Sequence, residues 1–374
     1  QHVDHRPRRL EDVVLIVLEK GTMPIVAVQN APSSIPKAAQ AAPMPAYDGP
    51  AGACAAMLDQ VLNSGADGAG DTILVRACGE ESPTLRKPAL QAGVRMARSA
   101  GSKTPALLAQ LEEILDHPPA NSQRAERVMA ATLEIMGELG EKLDKAQLSG
   151  VVSSRLVPLL SHDSDLVAAG AARGFAACLR GGLVAGTVTH DGEELSQLFA
   201  VSMQRIQQAK TTAEGRTGAF GLGAVLGGAG VARLVSLQVL PTLMGVVEGK
   251  QAKEAPSARE AAVLALEQLS LQLGSAFEPY GIPLLRTLVA LYADKDKKVA
   301  DAAAKGVQAM LAQLSPLAVK LVLPALYDGM KAVQWRTQVE CLTALAVLAE
   351  HCPSSVGPRL PEAIPQVMEC LAST

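Results

Sequence analysis

From about Leu85 onward the chain keeps one pattern. Apolar residues recur three and four positions apart over stretches of 12–20 residues, and short polar breaks separate the stretches. That spacing lays an apolar stripe along a helix of 3.6 residues per turn. Residues 124–139 (RAERVMAATLEIMGEL), 260–273 (EAAVLALEQLSLQL) and 336–349 (RTQVECLTALAVLA) carry it most clearly. The breaks at Ser161–Asp165, Lys250–Pro256, Asp294–Lys298 and His351–Pro353 hold residues that cap or stop helices. Before Leu85 the texture differs. Residues 1–84 are rich in Pro, Gly, Ala and Ser, and Pro32, Pro36, Pro43, Pro45 and Pro50 crowd one short stretch. Prolines so spaced break any long helix. Residues 31–53 are therefore expected to be irregular and mobile, and 1–84 to be an irregular, partly disordered segment with room for short elements around Val13–Leu18 and Ala53–Leu62.

The helical stretches repeat. The first turns VMAA (128–131), VAAG (167–170), GRTG (215–218), AREA (258–261), VADA (299–302) and WRTQ (335–338) recur at a mean spacing of about 41 residues. A second apolar stretch follows each, often marked by a proline: Pro158, Pro241, Pro283, Pro324 and Pro365. A two-helix unit of this length is the period of HEAT and armadillo arrays. One pair buries a single face, whereas stacked pairs share a core that grows along one axis. The expectation is an all-α fold, an α-solenoid of HEAT repeats with about six helix pairs over 121–374. The superhelix should be open, hold about twelve helices and contain no strand of four or more residues. A possible degenerate helix pair at 85–120 and the poorly structured Pro/Gly/Ala-rich N-terminal part precede it.

Composition narrows the function. Aromatic residues make up only 2% of the 374, which argues against a β-sandwich or barrel. With 34 Lys+Arg against 37 Asp+Glu the balance is near neutral, unlike that of a dedicated, sequence-specific nucleic-acid domain. Cys54, Cys78, Cys178, Cys341, Cys352 and Cys370 form no C-x-x-C pair and read as reduced thiols of a cytoplasmic protein. The apolar run Val13–Leu18 is far shorter than the roughly 20 residues a membrane helix needs. No signal peptide and no membrane contact are expected. The chain begins with Gln1 and reads as a fragment or a processed piece of something larger.

Motifs for chemistry fail on inspection. Gly218–Gly230 (GAFGLGAVLGGAG) lacks a glycine at Leu226 and a preceding strand, so it is not a dinucleotide loop. It reads as a first helix using small residues for close packing, with the glycines leaving that repeat soft. Gly245–Gln251 (GVVEGKQ) is one residue short of a phosphate loop and lacks its hydroxyl. Only His2 and His5 are close, in the N-terminal stretch, and the other histidines have no neighbours at metal-ligand spacing. Pairs such as Glu112–Glu113 and Glu193–Glu194 read as solvated faces or first-turn charges. No nucleophile–base pattern appears. The expectation is a protein without catalysis, cofactor or metal.

The remaining signal is basic. Arg216, Arg259 and Arg336 occupy one equivalent position near the starts of three first helices. They read either as inter-repeat ion pairs or as a ribbon for ribosomal RNA or an acidic protein. Lys297, Lys298, Trp335 and Arg336 open two successive repeats, with Lys320 in the second helix between them.

Three motifs fall in order across two successive repeats: Phe277-Glu278-Pro279-Tyr280, Lys320-Leu321-Val322-Leu323-Pro324 and Trp335-Arg336-Thr337. Upstream stand Leu111-Glu112-Glu113-Ile114-Leu115 with Pro118-Pro119, and Ile135-Met136-Gly137 with Lys142-Leu143-Asp144. Over roughly 103–374 the chain resembles the central segment of the general-control translational activator family, itself similar to the HEAT domain of elongation factor three. The resemblance implies a large cytoplasmic HEAT protein that rides on ribosomes, senses their stalling and promotes activation of the starvation kinase of initiation factor two. It implies the ribosome and an ABC-type ATPase as partners, with the kinase bound by regions outside this chain. Lys297, Lys298, Lys320, Trp335 and Arg336 would then form one ribosome-facing surface, with Arg216 and Arg259 in reserve. The alternatives are the HEAT part of an elongation-factor-three-like ATPase, or a general array holding tubulin or transport cargo.

Overall fold

A computed structural model describes residues 77–119, 121–189, 192–249 and 255–372. The expectations for 31–53, Val13–Leu18, Ala53–Leu62 and Cys54 lie outside the described residues. Two helices come first, α1 (Pro83–Ser99) and α2 (Thr104–Asp116). Six pairs follow. Helix α3 (Ser122–Gly137) pairs with α4, which runs Lys145–Val151, passes through a π-helical stretch Val152–Leu156 and ends at Val157–Leu159. Helix α5 (Asp165–Ala185) pairs with α6 (Glu193–Gln207). Helix α7 (Thr212–Ala229) pairs with α8 (Val231–Ser236) and α9 (Val239–Val247). Helix α10 (Pro256–Leu273) pairs with α11, built from Glu278–Gly281, a 3-10 turn Ile282–Leu284 and Leu285–Ala290. Helix α12 (Lys297–Ala312) pairs with α13 (Val319–Met330), and α14 (Trp335–His351) with α15 (Pro353–Val356) and α16 (Leu360–Ala372). No strand occurs among the described residues. The all-α class and the stacked pairs agree with the periodicity.

First and second helices differ in continuity. Each first helix is a single unbroken rod. Several second helices are composites, because proline supplies no N–H and clashes with the carbonyl four residues back. Pro283 lies in the 3-10 turn of α11, and Pro158 follows the π-helical stretch of α4. Pro324 and Pro365 sit inside α13 and α16. Between α8 and α9 the chain turns at Gln238, the one non-glycine residue with positive φ (49°) among those described.

Side-chain caps fix several starts. Asn121 accepts from the Arg124 N–H (3.0 Å), Thr211 from that of Glu214 (3.2 Å) and Asp296 from that of Lys298 (2.8 Å). Asp144 and Gln147 form a reciprocal capping box at α4.

The helices of a pair run antiparallel, so the stack has two edges. At the first, the starts of first helices meet the ends of second helices: Arg259 on α10 donates to the Val247 carbonyl at the end of α9 (3.1 Å). At the far edge, Ser315 after α12 donates from its N–H to Glu278 at the start of α11 (2.7 Å), and Cys352 after α14 approaches the Leu314 carbonyl (3.6 Å).

The core forms two large clusters, one over α1–α7 and one from α6 to α16, and α7 joins them. Its Phe220, Ala224 and Val225 pack into the first cluster, and its Ala219, Leu222 and Leu226 into the second. A helix buried on all sides needs no polar face, which explains its glycine-rich, apolar sequence. The close packing expected of these small residues is what the helix shows. A Cβ on Gly215 would stand 2.5 Å from that of Ala261, one on Gly223 2.8 Å from that of Gln268 and one on Gly228 2.6 Å from that of Leu179. The glycines are the places where α10 and α5 press against α7, and the dispersion attraction of that close packing offsets a propensity cost of up to about 1 kcal/mol each.

Candidate interaction edge

The seven cations and aromatics singled out in the sequence do not lie together. Lys297, Lys298, Trp335, Arg336, Arg216 and Arg259 all stand at or near the starts of first helices, on one edge. Lys320 is the second residue of α13, which begins where α12 has ended. It therefore sits at the far edge, a helix length of roughly 24 Å from Lys297. A single face holding all five residues of the last two repeats is not what the antiparallel pairing builds.

The arginines are engaged in holding repeats together. Arg216 ion-pairs with Asp165 at the start of α5 (2.9 Å), donates to the Asp163 carbonyl (3.1 Å) and stands 5.8 Å from the Phe220 ring centre. Arg259 grips Asp294 through both carboxylate oxygens (3.3 and 2.5 Å), closing its own pair, while its Nε reaches back to the Val247 carbonyl of the previous one. Arg336 pairs with Asp301 of α12. The same device recurs as Arg173 with Glu134 (2.5 Å) and Arg155 with Asp116 (2.7 Å). Burial alone would raise the Asp294 carboxyl. The hydrogen bonds from Arg259 and the Asp296 N–H, with the Arg259 charge, outweigh it and hold the carboxyl below its ordinary value.

Lys298 is also committed. Its ammonium donates to Thr212 Oγ1 (3.0 Å), whose hydroxyl donates in turn to Glu260 Oε2 (3.0 Å). One chain of polar contacts thus links the starts of α12, α7 and α10, across 86 residues of sequence.

What stays open on this edge is a smaller set. Lys297 is exposed, as are Lys295 in the loop before it and Lys331 in the loop before α14. Trp335 is 64% exposed and Val333 96%. Lys331 and Val333 escaped the sequence reading, although Lys331 stands only four residues before Trp335. A shallow open groove lies further along the edge, lined by Ser161, Arg205, Lys210 and Thr217.

The interior offers little reactive chemistry. The five described cysteines are free and buried, and burial pushes the Cys178 and Cys341 thiols up to about 12. Among the described residues no three His, Cys, Asp or Glu side chains are grouped to hold a metal ion, and no helix is long and apolar enough to cross a membrane. The glycine-rich run 218–229 lies within α7, helical throughout.

Comparison with known proteins adds identity to this geometry. Residues 216–374 match the family described as EF3 N-terminal HEAT repeat. The eIF-2-alpha kinase activator GCN1 of Dictyostelium discoideum is 28% identical over 270 residues, covering 72% of this chain and 10% of its own. The stalled ribosome sensor GCN1 of Homo sapiens is 28% identical over 301 residues, covering 80% of this chain and 11% of its own. Elongation factor 3 of Gonapodya prolifera is 32% identical over 147 residues, covering 39% and 13%. The chain thus spans about a tenth of the length of these relatives. The resemblance read from the FEPY, KLVLP and WRT motifs is a real one: the chain is similar to the GCN1 proteins over most of its length, and part of it to elongation factor 3.

Proposed function

We propose that this chain, so similar to the GCN1 proteins, is a non-catalytic scaffold of translational control that docks on ribosomes and helps to activate the initiation-factor-two kinase in starvation. The similarity over 72% and 80% of the chain to proteins named for activating that kinase and for sensing stalled ribosomes carries this reading. The stacked pairs support the scaffold role, since a solenoid offers long continuous surfaces for partners. The array over 121–374 would be the docking unit, in the cytoplasm, with an ABC-type ATPase as a second partner and the kinase reached through other parts of the full protein. The ribosome-facing surface would be the first edge, where Lys297 and Trp335 stand clear. Lys298, Arg336, Arg216 and Arg259 would position the repeats beneath it, and Lys320 on the far edge would be left for another contact.

Co-sedimentation of the chain with ribosomes over a series of salt concentrations tests this. The expected result is a bound fraction that falls steeply as salt rises. A chain that stays in the supernatant at low salt ends the reading. A second reading is the HEAT part of an elongation-factor-three-like ATPase, favoured by the family match over 216–374. The shorter coverage of that relative, 39% of the chain, ranks it second.

A further inference from the structure

We infer that the exposed end of the α13–α14 turn is a sequence-tolerant platform for single-stranded RNA, with Trp335 as the stacking surface and Lys295, Lys297 and Lys331 as the phosphate contacts. The inference rests on the ribosome-docking reading and names the chemistry that the edge would recognise.

Position gives the first argument. The first residues of the six first helices are Ser122, Asp165, Thr212, Pro256, Lys297 and Trp335. Five of the six repeats stack without a large apolar group there, so packing does not call for the tryptophan. None of the other described aromatics is left so open: Phe175, Phe277 and Tyr292 are each at most 2% exposed, Phe220 is buried, and Phe199, Tyr280 and Tyr327 are half-buried, against 64% exposure for Trp335. Leaving a large ring in water forgoes the apolar burial that these other rings achieve.

Charge gives the second argument. The nearby carboxylates are occupied: Asp294 by Arg259, Asp301 by Arg336, Asp328 by Arg286 (3.2 Å), and Asp296 by the cap of α12. Lys295, Lys297 and Lys331 are exposed and have no such partner among the described residues. The charge that faces outward from the two adjacent loops is positive, although the chain as a whole is −3.

Shape chooses between the acidic partners such a patch could attract. An amphipathic protein segment needs a groove for its apolar face. Here the ring and Val333, 96% exposed, stand in the open and are not part of the groove lined by Ser161, Arg205, Lys210 and Thr217. An exposed flat ring beside mobile cations suits an unpaired base with phosphates on either side. A duplex keeps its bases stacked on one another and would use only the lysines.

Trp335 is the only tryptophan of the chain, so its fluorescence reports on this site alone. The test titrates the whole chain with a 12-nucleotide oligouridine, a 12-base-pair RNA duplex and an oligoglutamate peptide. Oligouridine is expected to quench the emission, with log affinity falling by close to 0.7 per phosphate contact against log salt. Binding of labelled oligouridine, read by anisotropy, should weaken about tenfold or more in Trp335→Ala and much less in Trp335→Phe, which keeps a ring. The set Lys295→Glu, Lys297→Glu and Lys331→Glu should lower both affinity and salt slope, with helicity unchanged. Absence of quenching overturns the inference, as does undiminished oligouridine binding by a folded Trp335→Ala chain. Tighter binding of duplex or of oligoglutamate overturns it too, the latter in favour of an acidic protein. Ribosome co-sedimentation separates the two readings: a chain that pellets with ribosomes but ignores oligouridine loses this inference and keeps the docking role.

Discussion

The contact between α3 and α5 and the contact between α10 and α12 join first helices of neighbouring repeats, yet they are built in opposite ways. In the former, Gly137 and Gly174 bring the two backbones together, and a Cβ on either would collide with a carbonyl of the facing helix. In the latter, Gly306 faces Val263 with room to spare: a Cβ there would meet the Val263 Cγ1 at 3.7 Å, an ordinary contact. Side chains of Ala, Val and Leu hold α10 and α12 apart. One period therefore admits two kinds of seam, one set by backbone contact and one by side-chain packing. A glycine count alone does not distinguish them, because the meaning of a glycine lies on the facing helix.

Substitution at the glycines gives the largest test of that difference. Gly174→Ala should force α3 and α5 apart and cost about 3 kcal/mol, at the upper end of overpacking effects. Because repeats couple mainly to their neighbours, amide exchange should quicken in α3 and α5 and change little in α12 and α14. A loss below about 1 kcal/mol in urea unfolding would contradict the backbone seam.

The next effect concerns the side-chain seam, which Arg259 and Asp294 close at its edge. Asp294→Asn should cost about 2 kcal/mol at neutral pH, the range for a hydrogen-bonded charge pair. The folded state holds this carboxyl below its ordinary value. The wild-type advantage should thus be complete above the unfolded value of about 4 and fade as pH falls through the lower folded one. Urea midpoints of both chains at pH 7 and pH 3 measure this, and a gap that persists at low pH would deny the pair its role.

Gly306→Ala should act in the opposite direction to Gly174→Ala, raising stability by about 0.5–1 kcal/mol through helix propensity alone. Destabilisation there would mean that both seams are close. The smallest effect belongs to Glu340 on α14. Burial raises its carboxyl, with Arg336 pulling it down and Asp301 pushing it up. A raised acid costs stability above its unfolded value, so Glu340→Gln should raise the thermal midpoint at pH 7 and leave it unchanged near pH 4.

The sequence disclosed the array because its information is local. The apolar stripes and the prolines of the second helices repeat every 41 residues or so, and each pair forms where its own residues dictate. The equivalence of Arg216, Arg259 and Arg336 was equally legible. Their partners were not, since Arg259 reaches Asp294 ahead of it while Arg216 reaches Asp165 behind it. Lys298 meeting Thr212 was beyond pattern reading, because it depends on the curvature summed over two repeats. The place of Lys320 could have been read, as antiparallel helices reverse direction at every loop. The exposure of Trp335 could not, since the same residue between two repeats would have been core.

The line of contacts from Lys298 through Thr212 to Glu260 has a mechanical consequence. A stack of helix pairs is a spring whose coils ordinarily touch only the next coil. Here the first and third of three successive coils are fastened on one side. A pull that straightens the spring on that side must part the fastening before it can extend, while a push that tightens the curl leaves it whole. The molecule should thus be stiffer in opening than in closing at this point, and a load carried along it would stretch first in the coils on either side.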